Sequence, residues 1–395
     1  MSYQGHPVID TDSHIYQFWD LDRSYKPYID PAYREKFQRF SATARAWTRF
    51  PGDSPFPDFV WQAPPSHPMG VYDAFDAPQT DPPDRERGGT PVGAKHRQIL
   101  RGGREIDPAC NWDPTVRLKD MDKAGIDFSA IFPSSSDSFC AISDVGFEAA
   151  LSGAYNRFMT EYCSGAQGRL LWVAGSVMRD IPESVAQLRH WAEHDENFGG
   201  TFISRVCPDG TMLDNPNLHP LFAASQELDL PIWVHGGAQR PPFTPWVDAP
   251  NSLYHSVGGM FAMTALIAGG VFDLFPRLRI GLFESFSGWM PYLVEKLDEG
   301  YRPGSPQAPY LKRKPSEIVA SGQLFCAIEA DEGQLEHVVA DLGEHPWLFT
   351  TDYPHPGTSW PDGLPQITER KGLAESAKIN LLEQNAKRFL PRLCR

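Results

Sequence analysis

The chain has 395 residues, 41% hydrophobic and 22% charged, with a formal net charge of −14. That is enough apolar material for a large core, and the acidic balance argues against nucleic acid as a partner. No stretch is apolar and long enough to span a bilayer. The first residues carry no basic segment followed by an apolar run, so no secretory signal is read. Six scattered cysteines with no CxxC pair suit a reduced, cytoplasmic protein with buried thiols.

In chain order, Pro7 to Ile9 reads as a short apolar strand running into Asp10-Thr11-Asp12-Ser13-His14. Asp12 and His14 are two apart, so on a strand they share a side. A carboxylate beside an imidazole can grip a divalent metal. Residues 16–50 read as loop and short helix. From about 40 to 110 the chain is rich in Pro, Gly and charge, with an aromatic island at Phe56–Trp61. This reads as an insertion after the first strand, folded over the active-site mouth or across a homodimer interface.

A regular alternation starts at Asp113. Helices are expected over 114–124, 144–164, 181–194, 220–228, 256–272, 289–299, 331–342 and 368–389. Strands are expected at 127–133, 170–177, 199–204, 231–235, 279–284, 324–329 and 347–352. Asp113 serves as an N-cap and Gly125 as a stop for the first of these helices. Eight apolar strands, mostly followed by helices, predict a parallel (β/α)8 TIM barrel as one α/β domain over 1–395. A doubly wound sheet would want a glycine-rich phosphate turn after an early strand, and none is present.

Chemistry in such barrels sits at the C-terminal ends of strands. Those ends carry Asp12 and His14, then His235, Glu284, Glu329 and Asp352. Asp12, His14, His235 and Asp352 form a mixed N/O ligand set. Zinc is the expected ion, with manganese and iron as alternatives. Asp352 and Glu284 are read as acid/base groups beside it. Glu329, Asp10 and His355 are assigned supporting roles, and Arg101, Arg104, Arg205 and Arg240 are candidates for gripping a substrate carboxylate.

The series Ile9–His14, Pro231–Gly236, Phe275–Glu284, Trp289–Leu293 and Thr351–His355 resembles the amidohydrolase-related family of aminocarboxymuconate-semialdehyde decarboxylase. Arg117–Asp122, Gly125–Asp127 and Asn385–Phe389 fit as well. The likeness covers about residues 7–30 and 110–392. It implies a metal-dependent barrel, either a hydrolase or a non-oxidative decarboxylase of aromatic or unsaturated acids. Asp12 stands where that family has histidine or glutamate. Glu284 stands where its decarboxylases carry a proton-donating histidine. The expectation is therefore a metal-dependent hydrolase acting on a small aromatic or carboxylated substrate through activated water, with Asp352, Glu284 and His235 catalytic. The alternative is a carboxy-lyase, and a barrel that only binds is the third reading.

Overall fold

A computed structural model of the chain describes residues 2–16, 20–47, 98–100, 104–134, 142, 144–207, 210–236, 249–355 and 358–394. Eight strands form one parallel sheet in sequence order. They are β1 (Ile9–Ile15), β2 (Phe128–Pro133), β3 (Leu170–Gly175), β4 (Phe198–Ile203), β5 (Ile232–Val234), β6 (Ile280–Leu282), β7 (Leu324–Glu329) and β8 (Trp347–Thr350). The sheet closes on itself just past β8. Asp352 N donates to Asp12 O at 2.9 Å and His14 N to Tyr353 O at 2.6 Å, so Ser13 bridges Tyr353 in parallel. This is the expected (β/α)8 barrel.

The main helices between strands include α1 (Pro114–Ala124), α2 (Val145–Ser164), α3 (Ile181–His194), α4 (His219–Glu227), α5 (Ala249–Ala268), α6 (Met290–Gly300) and α7 (Leu335–Leu342). Their starts follow local chemistry. The side chains of Asp113, Asp144 and Asp180 accept from Thr115 N, Phe147 N and Glu183 N, and so cap α1, α2 and α3. Gly125, at φ 73°, ends α1 in the left-handed conformation that glycine tolerates best.

Three stretches differ from expectation. Residues 34–47 form a fourteen-residue helix rather than loop and short helix. The helix expected at 256–272 starts earlier, at Ala249, and stops at Gly269-Gly270 before a short turn, Val271–Leu274. The C-terminal helix is three pieces, with a π-helical turn at Asn380–Gln384 between Glu375–Ile379 and Asn385–Phe389. Most of the proline-rich insertion, the aromatic island, Arg101 and Arg240 lie outside the described residues. Its described end is an antiparallel pair of short strands, Gln98–Leu100 with Arg104–Ile106.

The barrel interior is apolar at its base, where Trp233, Phe283, Phe325 and Phe389 pack ring against ring. Among the described residues, Cys110, Cys163, Cys207 and Cys326 are buried thiols outside any disulfide. Among the described residues no helix is long and apolar enough to cross a membrane.

Candidate metal and active site

β1 is buried along its whole length although five consecutive residues in it are polar. Each therefore needs an internal partner. Thr11 Oγ1 donates to Phe349 O at 2.9 Å, and Ser13 Oγ lies 2.8 Å from Ser129 Oγ. Asp10 accepts from Thr351 Oγ1 at 2.6 Å, from Thr351 N at 3.0 Å and from Asp12 N at 3.2 Å. It thereby ties the first strand to the last. Behind β1 the fully buried Arg117 donates to the carbonyl of His14 and, at 3.2 Å, to Ser13 Oγ. Its guanidinium also stacks 5.1 Å from the Tyr353 ring. The backbone that carries His14 is thus held from both sides.

The predicted ligands come together. Asp12, His14 and His235 place one donor atom each within 4.8 Å of one another, and so do His14, Asp352 and His355. His14 Nε2 lies 3.1 Å from Asp12 Oδ1 and 3.3 Å from Asp352 Oδ1. His235 Nε2 lies 3.5 Å from Asp12 Oδ2. Asp12 and His14 are each 1% exposed, Asp352 7% and His235 8%. Yet Asp12 Oδ1, both His14 ring nitrogens and Asp352 Oδ1 make no hydrogen bond. Buried polar atoms are almost always paired. Convergent buried nitrogen and oxygen donors that make no hydrogen bond are what a divalent cation requires, so these residues fit the metal the sequence pattern implies.

Electrostatics agree. Burial, reinforced by Glu284, pushes the Asp12 carboxyl well above the usual carboxylate range. Burial, with His355, His235 and Arg117 adding to it, drives the His14 imidazole well below its ordinary value. A neutral imidazole is the ligating form, and a cation at the cluster would favour ionised carboxylates. The rings are set by packing. Phe132, at the end of β2, lies 5.7 Å from the His14 ring and 4.9 Å from that of His235. His355 stacks on His14 at 4.0 Å and brings Nδ1 to 2.8 Å from Asp352 Oδ1, an ion-pair contact.

Two strand ends turn sharply. Asp352 has φ 55° and Glu284 has φ 48°. Non-glycine residues rarely occupy this left-handed region, and where they do, functional sites are over-represented. Glu284 does not have the raised pKa that burial alone would give. Burial raises its carboxyl, but His255, His235, His355 and Arg205 outweigh it and bring it down to about 2. Glu284 is therefore an anion in this setting.

Arg205, just past β4, is fully buried and donates to the carbonyls of Phe283 and Glu284 and toward His255 Nδ1 at 3.1 Å. It clamps the end of β6 instead of offering a free fork to a substrate. Sequence reasoning missed His255. It lies on α5, and its Nδ1 is 3.3 Å from Glu284 Oε2. Its only sequence signal is a lone histidine early in an apolar helix. Glu329 ends β7, where burial and then Asp352 and Asp12 push its carboxyl well above the ordinary range. Arg104 begins the short strand Arg104–Ile106.

A family model for amidohydrolases matches residues 9–392. The chain belongs to the amidohydrolase family. It is 26% identical over 298 residues to a 2-amino-3-carboxymuconate-6-semialdehyde decarboxylase of Dictyostelium discoideum, spanning 73% of this chain and 79% of that one. Its fold is similar to that of a 5-carboxyvanillate decarboxylase from Novosphingobium aromaticivorans solved with bound manganese and a nitrobenzoic acid. The TM-score there is 0.63, at 18% identity, covering 98% of this chain and 97% of that one. A 2,6-dihydroxybenzoate decarboxylase from Rhizobium gives a TM-score of 0.56 at 21% identity, over 69% and 86%. Family membership agrees with the barrel.

Proposed function

We propose that this amidohydrolase is a metal-dependent carboxy-lyase that removes carbon dioxide from a small aromatic or unsaturated carboxylic acid. The observation that carries the reading is the convergence of buried donors of Asp12, His14 and Asp352 that make no hydrogen bond, beside His235. The decarboxylases among its relatives favour the lyase over the hydrolase expected from the sequence. Asp12, His14, His235 and Asp352 would hold the ion. Which ion is left to measurement, since manganese sits in a related structure and the donors also suit zinc or iron. A bound divalent ion supplies Lewis acidity that orients and polarises the substrate's oxygens.

The chain's own residues do the rest. Asp10, Arg117 and Phe132 hold the ligands in place, so little reorganisation is needed when substrate arrives. The aromatic side chains around His14 and His235 make that part of the site poor in water, which favours loss of carbon dioxide from a carboxylate. Departure of carbon dioxide leaves an electron pair on carbon, and that carbon takes up one proton.

One observation favours the hydrolase reading. Burial raises the Asp352 carboxyl against the opposing pull of His355, and a carboxylate made more basic in this way can accept a proton from water. The two readings separate in labelled solvent. Metal-loaded protein is incubated with 2,6-dihydroxybenzoate, 5-carboxyvanillate and 2-amino-3-carboxymuconate-6-semialdehyde in D2O enriched in oxygen-18. A carboxy-lyase releases one carbon dioxide per turnover and puts one deuterium on carbon, with no labelled oxygen in the organic product. Labelled oxygen in that product, without carbon dioxide, contradicts the proposal.

A further inference from the structure

Beside the ligand cluster lies a second constellation built on a different helix. His255 is brought by α5 to the end of β6, where its Nδ1 meets two groups at once: Glu284 Oε2 at 3.3 Å and Arg205 Nη1 at 3.1 Å. The guanidinium only donates and the carboxylate only accepts. Nδ1 can therefore take a hydrogen from Arg205 or give one to Glu284, but not both. The ring has two stable proton arrangements, each matched by a neighbour already in place. Nδ1 is thereby occupied, and about a fifth of the side chains of both His255 and Glu284 is exposed. The same carboxylate reaches to 3.8 Å from the His235 ring nitrogen, so the pair adjoins the metal ligands.

We propose that His255 is the proton carrier of the reaction, with Glu284 and Arg205 as its positioning partners. The inference rests on the carboxy-lyase reading. The neutral imidazole takes up one proton from solvent, to which its side chain is partly exposed. When the carbon–carboxylate bond breaks, carbon dioxide departs and the bonding pair stays on carbon. The imidazolium then gives its proton to that carbon and returns to the neutral ring. One proton is thereby consumed per turnover, and the substrate hydroxyl keeps its own. Glu284 holds the Nδ1 proton in both charge states, through Nδ1–H to Oε2, so Nε2 is the atom that takes and returns the mobile proton, while Arg205 fixes the end of β6 that carries Glu284. Burial and Arg205, against the pull of Glu284, lower the imidazole to about 4. It is thus unprotonated at rest and a strong acid once charged.

The test uses wild type and His255→Gln, whose amide keeps hydrogen bonding but cannot carry a proton, both loaded with manganese. Two readouts are followed: carbon dioxide from 2,6-dihydroxybenzoate, and deuterium exchange into the ring of its product, resorcinol, in D2O. His255→Gln is expected to lower kcat about 100- to 10,000-fold, with KM and metal content within about threefold and exchange lost in parallel. If wild type turns the acid over and His255→Gln keeps both rate and exchange, the proton-carrier assignment is overturned and the carboxy-lyase reading stands. If wild type neither releases carbon dioxide nor exchanges resorcinol, both fall. Should His255→Gln fail to fold, His255→Ala with added imidazole replaces it. Recovery of exchange supports the assignment, and imidazole-independent exchange at the wild-type rate contradicts it.

Discussion

Asp10 is an ionisable group buried for structural ends. Burial raises its carboxyl to about 7, against the pull of the bonds from Thr351 and Asp12 N. A carboxyl whose folded pKa lies above its unfolded value draws stability down as pH rises between the two. Asn at this position keeps an acceptor and does not titrate. Asp10→Asn should therefore gain on wild type between about pH 4 and 7, by up to about 4 kcal/mol, measured by denaturant unfolding across that range. Asp10→Ala leaves the Thr351 hydroxyl and amide without their acceptor and should lose about 2–4 kcal/mol at pH 5. Residue type and strand position marked Asp12, His14, His235 and Asp352 in the sequence, because a strand end delivers its side chain to the mouth whatever the details. His255 was not legible. It reaches the site from an intervening helix, and no local spacing encodes that approach. Arg205 was misread as a substrate fork because the sequence cannot show that the carbonyls of Phe283 and Glu284 already occupy it.

At the scale of elements, the barrel strands aim their chemistry by turning. The residue after His235 is Gly236 at φ 61°, where glycine relieves the turn, whereas Glu284 and Asp352 adopt it with full side chains. An L-residue in this region costs roughly 1–2 kcal/mol. Glu284→Gly should therefore be more stable than Glu284→Ala by about 1 kcal/mol, the reverse of the usual order in regular structure. Both should be inactive, as thermal melts and a turnover assay would show. Equal melting of the two would mean the turn is unstrained. The strands were legible because long apolar runs between helices have few other uses. The C-terminal tail was not, since its pattern suits one helix and the π-turn at Asn380–Gln384 is set by packing.

Across the whole molecule, β1 and β8 are joined by few backbone bonds, and the donor set spans that seam. Asp12 and His14 come from β1, Asp352 follows β8, and His235 follows β5. An ion there links both sides of the closure and offsets repulsion among carboxylates in a chain of net charge −14. Metal present at a thousand times its Kd adds about 4 kcal/mol to stability. Chelation should lower the melting temperature by several degrees in wild type and leave Asp352→Asn, which has already lost a charged ligand, nearly unmoved. An equal shift in both proteins would place the ion elsewhere. The most direct measurement is release of labelled carbon dioxide from carboxyl-13C 2,6-dihydroxybenzoate and 5-carboxyvanillate, by manganese-loaded protein and by the same protein after chelation. The account predicts release that stops on chelation and resumes when metal is returned. Release that persists without metal, or no release from any small aromatic or unsaturated acid by fully loaded protein, would contradict it.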